Sequence, residues 1–231
     1  MSAHLAARSR AVAMPVSMLT GQSSWMAALD KDRDVLRAGA VLHFHADQEV
    51  FVEGDEAELF FKVVSGTVRT CKFLNDGRRQ IEAFYGPGDI FGFESEGAHR
   101  LSAEAVTACN LVAYRRRVVE AAALRDREIS HQLLKYALHS ARGARAHAFI
   151  LGRRAAGEKV AAFLLDWAVA HGDAQTIELP MSRQDMADYL GLTIETVSRT
   201  LSQFEREGLI AIPSARQIRL LRREALEDFT I

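Results

Sequence analysis

Cysteine is scarce in this chain: Cys71 and Cys109 are the only two among 231 residues. An iron–sulfur cluster needs several thiolates, and none precedes Cys71, so a cluster built on N-terminal cysteines is excluded. Two cysteines suit a reducing compartment, and both fall on predicted strands, where cysteine behaves as a small buried side chain. Long apolar runs are missing too. None reaches the roughly 20 residues a membrane span needs, and no secretory leader is visible, so a cytoplasmic location and no membrane partner are expected. Charge of one sign is also lacking. The net charge is −1, and from Ala174 to Ile231 there are 7 Arg, no Lys and 9 acidic residues. Overall charge therefore gives no support for bulk attraction to a polyanion, and the local arrangement must carry the electrostatics of any nucleic-acid binding. No acidic residue precedes Asp30, and residues 1–30 form an Ala/Ser-rich stretch with Arg8 and Arg10, expected to be a flexible arm.

Residues 31–125 read as an all-β unit. Apolar-alternating runs occur at Val41–Phe44, Glu49–Val52, Leu59–Ser65, Thr67–Leu74, Ile81–Tyr85, Leu101–Ala105 and Cys109–Tyr114, separated by turn signals such as Ser65-Gly66, Asn75-Asp76-Gly77 and Gly86-Pro87-Gly88-Asp89. Regular spacing of this kind predicts a barrel or jelly roll. Gly66, Gly77 and Gly88 recur every eleven residues. A long helix follows, about 126–152, without proline. Leu134, Ala137, Ala141, Ala144, Ala148 and Leu151 recur along it at alternating three and four, the spacing of a coiled-coil seam. The seam holds no charge, and its alanines allow two helix axes to approach. After a hinge at 152–157, Glu158–Ala170 is predicted as an amphipathic helix with Val160, Phe163, Leu164 and Trp167 on its core stripe.

The segment Ser182–Leu220 carries the strongest signal, within a C-terminal part spanning 153–231. Ser182 and Asp185 resemble a capping box, Gly191 suits a left-handed helix end and Thr193 an N-cap. Val197, Leu201 and Phe204 form the buried stripe of the second helix, which turns Ile194, Glu195, Ser198 and Arg199 outward. Leu209–Ile212 and Gln217–Leu220 flank Pro213-Ser214-Ala215-Arg216 as a wing. The outer face has base-reading chemistry: Arg199 suits guanine O6 and N7, Glu195 suits cytosine N4, and Ser198 is small enough to lie against thymine. Ser182, Arg183, Gln184, Thr193, Thr196 and Arg216 are expected to position phosphates. The partner this implies is double-stranded DNA.

In these residues the chain resembles the cyclic-AMP-receptor/FNR superfamily of bacterial transcription regulators, over about residues 35–220. Glu195-Thr196-Val197-Ser198-Arg199 is similar to the Glu-x-x-Ser-Arg recognition pattern of the FNR and FixK branches, and Ile194 stands where the cyclic-AMP receptor carries an arginine. The resemblance implies an α+β chain: a cyclic-nucleotide-binding-like β-roll, a long dimerisation helix and a C-terminal winged helix-turn-helix. It implies a homodimer on a palindrome like TTGA-N6-TCAA, acting as an activator of low-oxygen respiration, denitrification or nitrogen-fixation genes. It also implies contact with RNA polymerase, with the loop Asn75–Arg79 a candidate surface.

The β-roll departs from the nucleotide-binding pattern. Phe91-Gly92 is followed by Phe93, with Glu94 one position late, and Leu101 stands where an arginine should precede Ser102. Without that arginine a cyclic phosphate loses its main charge-assisted bond, so no cofactor is expected. Two other readings are weighed. Histidine and methionine ligands leave no spacing signature, so haem or another small effector in the β-roll is the alternative. More remotely, His43, His45 and Glu49 are similar to the first metal-binding motif of cupin enzymes, but no histidine follows Pro87-Gly88-Asp89 until His99. The reading favoured is a regulator and not an enzyme.

Overall fold

A computed structural model describes residues 39–171 and 174–229; the expected arm at 1–30 lies outside them. The element order is β1 (Ala40–Phe44), β2 (Glu49–Phe51), β3 (Leu59–Ser65), β4 (Val68–Phe73), β5 (Arg79–Tyr85), β6 (Ile90–Phe91), β7 (Ser102–Ala105) and β8 (Cys109–Arg115), then helices α1 (Arg116–Ala123), α2 (Arg127–Gly152) and α3 (Ala156–Ala170), then β9 (Thr176–Glu178), α4 (Arg183–Leu190), α5 (Ile194–Arg206), β10 (Ile210–Ser214), β11 (Gln217–Leu220) and α6 (Arg223–Asp228). The chain divides into two compact units. One runs to Lys72 and resumes over Glu82–Arg142; the other comprises Phe73–Ile81 and Gly143–Ile231.

The first unit is a β-roll of two four-stranded sheets, ordered β1-β8-β3-β6 and β2-β7-β4-β5. Side chains alternate between the faces of a strand, and β3 and β8 are apolar on both. Phe61 and Val63 of β3, with Leu111 and Ala113 of β8, join Phe51, Val68 and Phe91 in one core. Phe60, Val112 and Tyr114 point the other way and pack with Val119 and Ala122 of α1 and Ile129 of α2. A sheet covered on both faces loses the polar-out alternation of a half-exposed one, which is why Leu59–Ser65 reads as a nearly continuous apolar run. The three evenly spaced glycines all have positive φ, at 83°, 84° and 94° for Gly66, Gly77 and Gly88. At Gly66 there is no alternative residue, since a Cβ would lie 2.3 Å from the Ala108 carbonyl oxygen.

The turn at Phe91-Gly92 is packed with aromatic rings. His99 is 4% exposed, and its ring stacks on Phe51 with centroids 3.6 Å apart. Gly92 turns at φ 76°, where a Cβ would meet both rings at 3.0–3.4 Å. The Arg100 guanidinium is turned to Glu96 at the surface, at 2.6 Å, and the Ser102 hydroxyl accepts from the Glu53 amide at 3.0 Å. The His99 Nδ1 is buried without a hydrogen-bond partner. Burial pushes its pKa down to about 4, the nearby Arg116 adding to this and Asp55 opposing it.

In the second unit, α3 packs with α5 and α6, and the wing strands form a sheet ordered β10-β11-β9. Two expectations shift. The wing turn is shorter than Pro213–Arg216, because Pro213 and Ser214 belong to β10. That strand is at the sheet edge, where the missing amide of proline is tolerated, and its register is irregular between Ala211 and Ser214. The hinge expected at 152–157 is likewise shorter, since α3 begins at Ala156.

Candidate nucleic-acid interface

The helix pair is built as its sequence predicts. The Ser182 hydroxyl accepts from the Asp185 amide at 3.1 Å and donates to the Asp185 carboxylate at 2.8 Å, while the Ser182 amide donates to the same carboxylate at 3.0 Å. This reciprocal cap starts α4. Gly191 ends it at φ 61°, ψ 43°, a left-handed conformation that costs glycine nothing. Thr193 then caps α5, its hydroxyl accepting from the Thr196 amide at 3.2 Å. Val197, Thr200, Leu201 and Phe204 are buried, which fixes the rotation of α5 and leaves Glu195, Ser198 and Arg199 exposed on its first turns, beside a 37% exposed Ile194.

The electrostatics of that face suit hydrogen-bond readout. The Glu195 carboxyl is held below the usual carboxylate range by its own backbone amide first and the Thr193 hydroxyl second, so it is an ionised acceptor at neutral pH. The residues expected to position phosphates divide. Gln184, Thr193 and Arg216 are exposed and Thr196 is partly so. The hydroxyl of exposed Ser182 is engaged in the cap. Arg183 is half-buried, donating to the Met186 sulfur at 3.2 Å, and that burial lowers its pKa. Gln184 donates to Asp188 at 2.6 Å. Arg206, Arg219 and Arg222 are exposed nearby in sequence to α5 and the wing.

The contacts that seat this helix pair escaped sequence reasoning. The Arg79 Nε donates to Asp188 at 2.9 Å, and its terminal nitrogen donates to Asp185 at 2.5 Å. The Gln80 amide nitrogen donates to the Tyr189 carbonyl at 3.3 Å. The same carbonyl accepts from His147 Nε2 at 2.8 Å, and the His147 ring stacks on Tyr189 at 3.9 Å between centroids. Lys159 Nζ, 9% exposed, donates to the Leu190 carbonyl at 3.1 Å. The last carbonyls of a helix lack intrahelical donors and carry partial negative charge, so a buried ammonium there satisfies one and is neutralised in part by the helix end. No local signal marked Lys159, which follows Glu158 in the first turn of α3, ahead of the apolar run Val160–Leu165.

Other candidates separate from this site. His43 and His45 are exposed, His43 is hydrogen-bonded to Asn110, and among the described residues no group of three His, Cys, Asp or Glu side chains is arranged to hold a metal. Among the described residues no helix is long and apolar enough to cross a membrane.

A two-sheet β-roll followed by a capped helix-turn-helix with a wing defines the class: a transcription regulator with a DNA-binding helix-turn-helix. Residues 158–229 match the Crp-like helix-turn-helix domain and residues 41–126 the cyclic nucleotide-binding domain. The nitrogen fixation regulation protein FixK of Azorhizobium caulinodans is 43% identical over 97% of this chain and 95% of its own. FixK of Rhizobium meliloti is 41% identical over 81% of this chain and 86% of its own. The solved structure of FixK2 from Bradyrhizobium japonicum superposes with a TM-score of 0.80 at 42% identity, covering 84% of this chain and 98% of that one. The chain belongs to the FixK-like branch of the cyclic-AMP-receptor/FNR superfamily. Relatives across this comparison are named as regulators, and the chain is a regulator of that family and not an enzyme.

Proposed function

We propose that the chain is a cytoplasmic activator that binds a TTGA-N6-TCAA-like palindrome as a homodimer, without cyclic nucleotide or iron–sulfur cluster. Its targets are genes of low-oxygen respiration, denitrification or nitrogen fixation, and RNA polymerase is its partner at the promoter. In this reading 31–125 is a sensor-like β-roll, 126–152 pairs two protomers and 153–231 reads DNA. The observation that carries it is the exposed trio Glu195, Ser198 and Arg199 at the capped start of α5, the part of a recognition helix that enters the major groove. Phe93 and Leu101, standing where a phosphate cassette needs Glu and Arg, support the cofactor-free state. The names of the FixK relatives support the pathway.

The test is binding of cofactor-free protein to that duplex and to single-base variants of it. Arg199→Ala is expected to lose about 1–3 kcal/mol of discrimination at the guanine and Glu195→Ala a similar amount at the cytosine opposite, each relaxing specificity at its own base pair only. Binding of all sequences equally well by both variants and wild type overturns the assignment of the reading face.

A further inference from the structure

Asp185 and Asp188 lie one turn apart on α4, with side chains only 5% and 12% exposed. Like charges at this spacing repel, and burial increases the penalty because little water screens them. Arg79, 18% exposed, meets both, reaching Asp185 at 2.5 Å and Asp188 at 2.9 Å. It lies 106 residues from the first and 109 from the second. The hairpin tip that carries it, Phe73–Ile81, groups with Gly143–Ile231 and not with the remainder of its own strands. Asp185 also closes the N-terminal cap of α4 through its other oxygen. One guanidinium therefore holds the side of α4 and the carboxylate that forms its cap, while the adjacent Gln80 bonds the Tyr189 carbonyl at the far end.

We infer that Arg79 is a positioning residue for DNA reading: the Arg79–Asp185–Asp188 bridge holds α4 in the orientation that presents α5 to the major groove. This rests on the DNA-reading assignment above. A planar guanidinium can serve two carboxylates at fixed angles, whereas an ammonium is a point charge. The bridge leaves Arg79 unavailable as an outward-facing contact for RNA polymerase, so its effect is on DNA binding with no polymerase present.

Three proteins test this: wild type, Arg79→Gln and Arg79→Lys. Two readouts are needed, affinity for the TTGA-N6-TCAA duplex without polymerase and amide hydrogen exchange of the free protein. Arg79→Gln is expected to bind the box roughly tenfold more weakly, within the ordinary range of coupling between distant sites. Its exchange should quicken across 182–193 while the β-roll amides stay protected. Arg79→Lys is expected to recover only part of both, because it restores the charge without the fork geometry that serves two carboxylates. Unchanged exchange and affinity in Arg79→Gln overturns the inference, as does uniform loss of protection that Arg79→Lys fails to rescue. If wild type itself ignores the box, the target assignment fails, while the exchange pattern still reports whether Arg79 holds α4.

Discussion

An Ala144→Glu variant is expected to sediment as a monomer at micromolar concentration and to lose at least about 100-fold in affinity for the palindrome, the scale on which a second tethered contact multiplies binding. The argument starts from the two faces of α2. Ile129, His147 and Ile150 are buried, so one face packs within the chain. The face carrying Leu134, Ala137, Ala141, Ala144 and Ala148 is exposed, with Leu134 at 57%. Leu138 and Phe149 beside it are 58% and 78% exposed. An uncharged stripe of this length, with small residues at its centre, suits a second copy of the same helix, and a two-fold dimer sets each position near its own counterpart. Glutamate at 144 then brings two carboxylates together in a closing apolar seam. Because Ala144 is exposed in the single chain, the substitution should leave helicity and folding intact. Two readers must meet half-sites about 34 Å apart, and a monomer engages one. Ala121→Glu, on the exposed side of α1, is the charge control and should change neither sedimentation nor binding. Sedimentation of Ala144→Glu as a dimer would remove the seam from the reading.

How much of the fold is legible in the sequence depends on whether the relevant physics is local. Caps and turns are local, and Ser182, Asp185, Gly191 and Thr193 fell where their chemistry predicts. Alternation is local as well, and the main strands of the β-roll followed it within a residue or two. β6 and β9 were missed because two or three residues are too short to show a period. α1 was missed because it opens on Arg116-Arg117 and has no acidic or hydroxyl cap to announce it. The wing turn was placed too wide because Pro213 reads as a breaker unless the strand is known to be an edge. Nothing local links Arg79 with Asp185 and Asp188, or Lys159 with the Leu190 carbonyl. Those contacts exist only once the chain has folded, so the capped helix pair and its exposed face were legible and the contacts that seat α4 were not.

The β-roll should carry an acid-sensitive stability traceable to one ring. His99 is buried against Phe51 with its Nδ1 unpartnered, and burial sets its folded pKa at about 4, against 6.5 for the free side chain. A depressed histidine pKa means the unfolded chain binds the proton first. The folded state therefore keeps its full advantage above pH 6.5, loses it progressively as pH falls toward about 4, and loses no more below that. The whole window amounts to about 3 kcal/mol, and the part between pH 6.5 and 5 to about 2 kcal/mol. His99→Leu keeps an apolar side chain against Phe51 and removes the titration. In urea unfolding at fixed protein concentration, wild type should weaken across that window relative to His99→Leu, with the two curves parallel above pH 7. The chain has seven other histidines, and the difference between the two proteins cancels their common contribution. Parallel curves down to pH 5 would mean that the ring is protonated in the folded state, which the stacking on Phe51 and the missing partner at Nδ1 argue against.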